Sequence, residues 1–203
     1  MHPAIGVVVG YILGSIPFAY LAGRLTRGID LRQHGSGNLG ATNVYRTLGW
    51  KLAAVVFLLD VLKGAVSVLI VLRFARGEHV FAWSIAAGVA AIAGHAKPVF
   101  LLWRGGGKGV ATATGVFVAL APIPTLLAVA AWLAVVAATG YVSLGSLVAA
   151  VALPVAIAAL VGVHAMIFPV SVALAIFVFW SHRANIERLR RGEEHRFRRK
   201  ASA

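Results

Sequence analysis

Long uncharged runs alternate with short polar segments along the chain. Residues 4–23 carry no charged side chain, and further apolar stretches cover 52–72, where only Asp60 and Lys63 interrupt, and 80–96. A membrane-spanning helix needs about 20 apolar residues, because each residue advances it by about 1.5 Å through a hydrocarbon core about 30 Å thick. The pattern therefore predicts three membrane-spanning helices in the first half of the chain.

The first apolar run is open to a second interpretation, as the core of a secretory signal peptide. Such a peptide carries a basic stretch ahead of an apolar region of about 7–15 residues. Here only Met1-His2-Pro3 precede an uncharged run of 20 residues, so we favour a retained span.

The segment 109–181 contains no aspartate, glutamate, lysine or arginine. As one continuous helix it would extend about 110 Å, so it must cross a core of about 30 Å more than once. Because proline and glycine interrupt helices, we predict breaks at Pro122/Pro124, at Thr139-Gly140 and at Gly162. The piece at 110–121 is then too short to span unaided.

Composition agrees with a membrane protein. Hydrophobic residues make up 60% of the 203 positions and charged residues 12%, and the mean hydropathy is +0.88. We therefore treat residues 1–203 as a single transmembrane domain with a basic tail at 183–203. The absence of cysteine excludes disulfides, thiolate zinc sites and a cysteine nucleophile. No cluster of acids or histidines suggests a metal site, and we predict neither metal nor cofactor.

The distribution of basic residues predicts the orientation in the membrane. Sixteen lysines and arginines lie in 24–51, in 97–108 and after residue 182, whereas only Arg73 and Arg76 lie between the second and third spans. Cytoplasmic loops are enriched in these residues, so the C-terminus is predicted to be cytoplasmic and the N-terminus outside. Because the uncharged segment begins and ends on the cytoplasmic side, it adds an even number of crossings to the first three. An all-α integral membrane bundle of five or seven spans is therefore allowed, and we favour seven.

The first polar segment on the predicted cytoplasmic face reads HGSGNLGATNVYR at 34–46. Its three glycines let the backbone approach a ligand closely, and successive N–H groups can form an anion-binding nest. Ser36 and Asn38 add donors, and Arg46 supplies a planar fork suited to phosphate. A plain connecting turn with a basic residue is the alternative interpretation of this segment alone.

The second polar segment reads RGGGKGVATATG at 104–115 and leads into an apolar helix. A lysine held by glycines at a helix N-terminus suits phosphate, because the helix dipole and the free N–H groups favour an anion. The segment is not a Walker A loop, since Gly109 rather than serine or threonine follows Lys108. A flexible linker with an interfacial lysine is the alternative.

The third polar segment reads HRANIERLRRGEE at 182–194 and follows the last apolar stretch. Helical spacing would bring His182 and Asn185 to one face, one turn apart. His182 could then act as an acid, a base or a donor to an oxygen. We interpret residues 188–200 as a basic segment that holds anionic membrane lipid, because nothing in it indicates a nucleic-acid-binding module.

Charged and titratable residues also lie inside the apolar stretches. Asp60 and Lys63 are three residues apart within the second span and can neutralise each other, so we interpret them as a structural pair. His95 ends the third span, where packing or interfacial hydrogen bonding is favoured over metal ligation.

Taken together, the three polar segments resemble the motifs of the bacterial acyl-phosphate-dependent glycerol-3-phosphate acyltransferases, an integral membrane enzyme family. GSGNLGATNVYR at 35–46 is similar to the family's first motif, GGKGVAT at 106–112 to its second and HRANIERLRRGEE at 182–194 to its third. Their order and spacing agree over essentially the whole chain. The second motif departs from the family pattern of an aromatic residue and Lys-Gly-Gly-Lys-Gly, because Arg104 is followed here by an additional glycine.

The resemblance implies transfer of a fatty acyl group from acyl phosphate to the 1-hydroxyl of glycerol 3-phosphate, giving lysophosphatidic acid and phosphate. It implies a site on the cytoplasmic side of the bacterial inner membrane. The expected partners are glycerol 3-phosphate, acyl phosphate and membrane lipids, with no nucleic acid and no obligate protein partner. Acyl-CoA and acyl carrier protein would not be donors.

The resemblance and the donor chemistry together assign site residues. Five residues are expected to take catalytic roles: Ser36, Arg46, Lys108, His182 and Asn185. Nine residues are expected to bind substrate: Gly35, Gly37, Asn38, Thr42, Asn43, Gly106, Gly107, Gly109 and Thr112. His182 and Asn185 would orient the glycerol hydroxyl or the reacting carbonyl. The general base is either His182 or an oxygen of the substrate phosphate.

Other mechanisms and functions remain open at this stage. An acylated Ser36 is conceivable, but no histidine–acid pair lies beside it in sequence. His182 and Glu187 have the spacing of the His-x4-Asp pair of acyl-CoA-dependent acyltransferases, yet a helix would turn them about 140° apart. A transporter for a phosphorylated metabolite would use the same basic loops as a vestibule, although no internal repeat is visible. A lipid-binding scaffold would explain the tail but not the glycine loops.

Overall fold

The computed structural model describes residues 2–197, and all regular structure among them is helical. The chain divides into two compact units, residues 1–120 and 121–203. The first unit contains α1 (Pro3–Gly14), α2 (Phe18–Arg27), α3 (Ala41–Leu48), α4 (Trp50–Phe74), α5 (Val80–Ala96) and α6 (Val110–Leu120). The second contains α7 (Pro122–Thr139), α8 (Val142–Leu160), α9 (Ile167–Ser181) and α10 (Arg183–Arg190). The predicted all-α class is confirmed, while the tail residues 198–203 lie outside the described range.

Five helical stretches are long and apolar enough to cross a bilayer: Pro3–Arg27, Trp50–Phe74, Val80–Leu101, Pro122–Thr139 and Val142–Leu160. The first three contain the spans predicted at 4–23, 52–72 and 80–96. A sixth arises if α9 and α10, which meet at a bend of 59°, form one broken span. With 11 residues, α6 is shorter than a span. A multi-span membrane protein is confirmed, and the count of seven stays a prediction.

The helix breaks predicted within 109–181 are present. Helix α7 begins at Pro122 and ends at Thr139, and α8 ends two residues before Gly162. Large apolar side chains remain exposed on these helices, as expected of surfaces that face lipid rather than water. The glycines and prolines of the uncharged segment therefore mark its turns.

A further break, which the sequence analysis did not predict, separates α1 from α2 at Ser15–Pro17. Pro17 has no N–H to donate and disfavours helical backbone at the residue before it, which accounts for the interruption. The break leaves the carbonyl oxygen of Ile16 outside the helical ladder, where it accepts a hydrogen bond of 3.0 Å from Nζ of Lys63 in α4.

Glycines set the helix packing in the first unit. A Cβ added to Gly14 of α1 would collide with the carbonyl oxygen of Ala91 in α5, and one added to Gly115 of α6 with that of Val61 in α4. Small residues let helix backbones approach closely within a bilayer, where dispersion contacts stabilise the pairing. Helix α1 therefore lies against α5, and α6 lies against α4.

Candidate active site

The first polar segment forms a loop whose two ends are anchored in the interior of the first unit. Leu31 lies in a short 3₁₀ turn ahead of the loop, Leu39 lies within the loop, and Val44 lies in α3 beyond it; all three are buried in one apolar cluster. Residues 34–38, between Leu31 and Leu39, are thereby held at or near the surface, because burying an apolar side chain is favourable by about 1.5–3 kcal/mol.

Asn43 shapes this loop from below. Its Oδ1 accepts a hydrogen bond of 2.9 Å from the Ser36 amide, and its Nδ2 donates to the carbonyl oxygens of His34 at 3.0 Å and Leu31 at 3.3 Å. The residue is 1% exposed. Its side-chain amide is hydrogen-bonded to the loop backbone, and its expected contact with substrate stays a prediction. Gly35 has φ of 62°, and a Cβ there would collide with the Asn43 amide oxygen.

Other donors of the first segment face outward. The side chain of Ser36 is exposed and that of Asn38 is half-buried. Within residues 2–197, no protein hydrogen bond engages the Ser36 hydroxyl or the Asn38 side-chain amide. Both groups belong to the expected site. Arg46 is exposed on α3, one turn after Thr42.

The second polar segment lies across the C-terminal end of α5. The Gly107 amide donates a hydrogen bond of 3.1 Å to the carbonyl oxygen of His95, and a Cβ on Gly107 would collide with the His95 imidazole. A Cβ on Gly106 would collide with the carbonyl oxygen of Ala96. Glycine is therefore required at both positions. The half-buried Lys108 comes next in the chain, separated from the start of α6 by Gly109 alone.

Thr112 does not reach the surface of the second loop. It lies in the first turn of α6, is 0% exposed and packs beside Gly64 of α4, because this side of α6 faces α4. Its hydroxyl has no hydrogen-bond partner among the described residues. Thr112 is part of the contact between α4 and α6, and its expected contact with substrate stays a prediction.

Two hydrogen bonds join the first and second loops. The Leu39 amide donates to the carbonyl oxygen of Gly106 at 3.1 Å, and Nη1 of Arg32 donates to the carbonyl oxygen of Arg104 at 3.0 Å. Arg32 is held by Asp30, with Nη2 and Oδ2 2.6 Å apart. Hydrogen bonds from Arg32 hold the pKa of Asp30 below its ordinary value. The two glycine-rich segments thus form one surface, and sequence analysis missed Arg32 as its connector.

The third polar segment belongs to the second unit and is ordered by a buried carboxylate. Glu194 accepts hydrogen bonds from Asn185 Nδ2 at 2.8 Å, from Arg188 Nε at 2.7 Å and from Ser143 Oγ at 3.1 Å. His182 and Asn185 are 4% and 7% exposed. Sequence analysis missed Glu194 as an organising residue, although the Gly-Glu-Glu that ends the third motif marks its position.

His182 is fixed at the junction of α9 and α10. Its Nδ1 lies 2.8 Å from the carbonyl oxygen of Val178, and the Ile186 amide donates to the His182 carbonyl at 2.9 Å. Oγ of Ser181 also lies 3.3 Å from Nδ1. A tautomer with the proton on Nδ1 would donate it to the Val178 carbonyl oxygen and leave Nε2 for proton transfer.

The pH dependence of the unfolding temperature, compared between wild type and Glu194→Gln, tests the hydrogen bonds around Glu194. Burial raises the pKa of Glu194, but hydrogen bonds from Asn185 and Arg188 outweigh it and leave the pKa below its ordinary 4.5. A carboxyl group whose pKa is lowered by folding stabilises the folded state at pH values above its ordinary pKa. That contribution is lost as the pH falls through the lowered pKa. We expect Glu194→Gln to unfold at a lower temperature than wild type at neutral pH.

The difference in unfolding temperature between Glu194→Gln and wild type should narrow below pH 4.5. Thermal unfolding of both proteins in detergent across this range measures it, with the more exposed Glu187→Gln as the matched control. A difference that stays constant with pH would contradict the assignment.

The predicted pair inside the membrane is present. Lys63 Nζ lies 2.7 Å from Asp60 Oδ1, and both side chains are 3% exposed. His95 Nδ1 lies 3.5 Å from the same Asp60 oxygen, a contact that sequence analysis did not predict. No group of three potential metal-ligating side chains occurs within residues 2–197.

Comparison with known families identifies the chain's relatives. The sequence profile of a family described as glycerol-3-phosphate acyltransferase matches residues 4–192. The chain belongs to the glycerol-3-phosphate acyltransferase family. The resemblance drawn from the three polar segments is thereby confirmed.

Bacterial relatives of this acyltransferase match it along nearly their whole length. The glycerol-3-phosphate acyltransferase of Synechococcus sp. (strain CC9902) is 48% identical over 190 residues, which cover 94% of this chain and 92% of the relative. That of Anaeromyxobacter dehalogenans (strain 2CP-C) is 42% identical over 192 residues, which cover 94% and 95%.

Two crystal structures of PlsY (YgiH), an integral membrane glycerol 3-phosphate acyltransferase, are similar to this acyltransferase. The glycerol 3-phosphate form has a TM-score of 0.87 and 39% identity, and covers 97% of this chain and 96% of that one. The lysophosphatidic acid form has a TM-score of 0.83 and 38% identity, and covers 96% and 94%. The fold of this acyltransferase is therefore that of an integral membrane member of the family.

Proposed function

We propose that this acyltransferase moves a fatty acyl group from acyl phosphate to the 1-hydroxyl of glycerol 3-phosphate, releasing lysophosphatidic acid and phosphate. One observation carries the proposal: hydrogen bonds between Leu39 and Gly106 and between Arg32 and Arg104 join two donor-rich glycine loops into one surface beside Lys108. Such a surface suits phosphate groups, which both substrates contain.

The identity of the acceptor and the product is supported by the structural neighbours. One PlsY structure is described as the glycerol 3-phosphate form and the other as the lysophosphatidic acid form. The first motif, which carries Ser36 and Arg46, occupies a loop of the same fold here. We infer the same acceptor and product for this chain.

The reaction needs charge stabilisation more than it needs a cofactor. The hydroxyl oxygen of glycerol 3-phosphate bonds to the acyl carbon, the bond from that carbon to the phosphate oxygen breaks, and the hydroxyl proton passes to a phosphate oxygen or to His182. Ser36, Arg46 and Lys108 bind the phosphates and the negative charge that develops in the transition state. His182 and Asn185 orient the hydroxyl or the carbonyl.

The membrane arrangement that goes with this function has seven crossings, an external N-terminus and a cytoplasmic site in the bacterial inner membrane. The excess of lysine and arginine in the loops and tail supports this orientation. A sixth crossing beyond the five long spans comes from the pair α9 and α10. The seventh is assigned to α6, which at 11 residues extends about 16 Å and is too short to span the core unaided.

A comparison of acyl donors tests the proposal. Purified wild-type protein in detergent is given glycerol 3-phosphate with palmitoyl phosphate, palmitoyl-CoA or palmitoyl carrier protein, and lysophosphatidic acid is quantified. We expect product with palmitoyl phosphate alone. Product formed from palmitoyl-CoA at an equal rate would contradict the proposed donor. If no lysophosphatidic acid formed with any of the three donors, a transporter would be favoured. Release of glycerol 3-phosphate from sealed vesicles that contain the protein would then reveal transport.

A further inference from the structure

Three titratable side chains that the proposed chemistry does not use lie together inside the first unit. Asp60 and Lys63 of α4 are each 3% exposed, and His95 of α5 is 7% exposed. The two helices belong to membrane spans, where ionisable groups are costly and are retained mainly where they serve a function. Neutralisation explains Asp60 and Lys63, but it leaves the contact between Asp60 and His95 without a purpose.

This cluster lies against the underside of the glycine loops. A cavity of about 10 Å³ is lined by Asp60, Lys63 and His95 together with Leu39 of the first loop and Gly106 of the second. A volume of about 10–15 Å³ accommodates one water molecule. The residues that line this cavity connect the cluster to both glycine loops.

His95 provides the contact to the second loop. Its carbonyl oxygen accepts the Gly107 amide hydrogen bond of 3.1 Å, and its imidazole packs so closely on Gly107 that no Cβ fits between them. The opposite side of the imidazole faces Asp60, with Nδ1 3.5 Å from Oδ1. The ring is thus held between the carboxylate and the residue that precedes Lys108.

Lys63 ties the same cluster to the break in the first span. Its Nζ forms an ion pair with Asp60 Oδ1, at 2.7 Å, and donates a hydrogen bond to the carbonyl oxygen of Ile16, at 3.0 Å. The same carbonyl accepts the Phe18 amide at 3.1 Å, so the ammonium is its second donor and holds the Asp60 carboxylate beside the break.

We propose that Asp60 and His95 are positioning residues for Lys108. Asp60 orients the imidazole, the imidazole and the His95 carbonyl fix Gly107, and Gly107 sets the place from which Lys108 meets phosphate. The proposal rests on the proposed function of the loops. If the cluster served folding alone, its removal would change stability and leave the kinetics of the folded enzyme unaltered.

Two variants separate these roles. His95→Asn keeps a side-chain N–H near the position of Nδ1 but removes the part of the ring that packs on Gly107. Asp60→Leu combined with Lys63→Met removes the carboxylate beside His95 without leaving an unpaired buried charge, and such apolar replacements of buried pairs are often neutral for stability. His79→Asn is the matched control, because the His79 side chain is 77% exposed and distant from both loops in sequence.

Steady-state kinetics with glycerol 3-phosphate and palmitoyl phosphate, together with unfolding temperatures, give the readout. We expect kcat to fall about 10- to 100-fold in His95→Asn and in the double variant, because a misplacement of about 1 Å costs up to about 100-fold. KM for glycerol 3-phosphate should change less than about 3-fold, and His79→Asn should match wild type.

A kcat within about 2-fold of wild type in folded His95→Asn would overturn the proposal, even if the double variant failed to fold. Loss of activity through raised KM alone would also overturn it, since that indicates weaker binding rather than misplacement of Lys108. If the wild type formed no lysophosphatidic acid with any donor, the proposed function would be overturned, and the positioning role with it.

Discussion

Replacing Lys108 with alanine is expected to lower kcat for acyl transfer about 100- to 1,000-fold, the usual effect of removing one donor to a transition-state anion. The lysine follows three glycines and precedes the N-terminus of α6, where backbone N–H groups already favour negative charge. Its ammonium is therefore placed to strengthen its contact as charge develops on phosphate. Initial rates over a range of both substrates measure the effect.

The controls for Lys108 separate charge from geometry. Lys108→Arg keeps the charge but replaces a compact ammonium with a longer planar fork, so we expect only partial activity. Lys51→Ala removes an exposed lysine at the start of α4 and should behave as wild type. Turnover of Lys108→Ala within about 3-fold of wild type, in protein with an unchanged unfolding temperature, would exclude Lys108 from the site.

Asn43→Ala is expected to lower both stability and turnover. It removes three hydrogen bonds that hold the loop from Leu31 to Ser36 and leaves the Ser36 amide without its protein acceptor, a loss of about 1–3 kcal/mol. We expect the free energy of unfolding to fall by about 1–3 kcal/mol and the loop to lose its fixed shape. Chemical unfolding in detergent and steady-state rates measure the two effects.

Asn38→Ala is the matched comparison for Asn43→Ala. The half-buried Asn38 amide faces outward, so its removal should raise KM or lower kcat while the free energy of unfolding stays within about 0.5 kcal/mol of wild type. If Asn43→Ala were as stable as wild type and fully active, the loop would not depend on the Asn43 amide. If Asn38→Ala instead lost stability, its assignment to the ligand face would be wrong.

The features that follow from local sequence were predictable. Apolar length alone located the three early spans, and proline and glycine located the turns within 109–181, because both signals act over a few residues. The break at Ser15–Pro17 could also have been predicted from proline chemistry. The uncharged run from 4 to 23 instead led us to predict one continuous span.

The features that depend on distant residues were not predictable from sequence. Arg32 meets Arg104 across 72 residues, and Ser143 meets Glu194 across 51. Burial of Thr112 follows from the side of α6 that faces α4, which hydrophobic periodicity does not reveal in a helix apolar all round. The motifs therefore indicated candidate residues, whereas the fold shows which of them are exposed and which are buried in the loops and helix contacts.

The balance of products tests the central claim most directly. Purified protein in detergent is given glycerol 3-phosphate and palmitoyl phosphate, and inorganic phosphate and lysophosphatidic acid are quantified in the same samples, with Lys108→Ala in parallel. The account predicts equal amounts of both products from the wild type and strongly reduced amounts of both from the variant. Release of phosphate without lysophosphatidic acid, or equal product from wild type and Lys108→Ala, would contradict it.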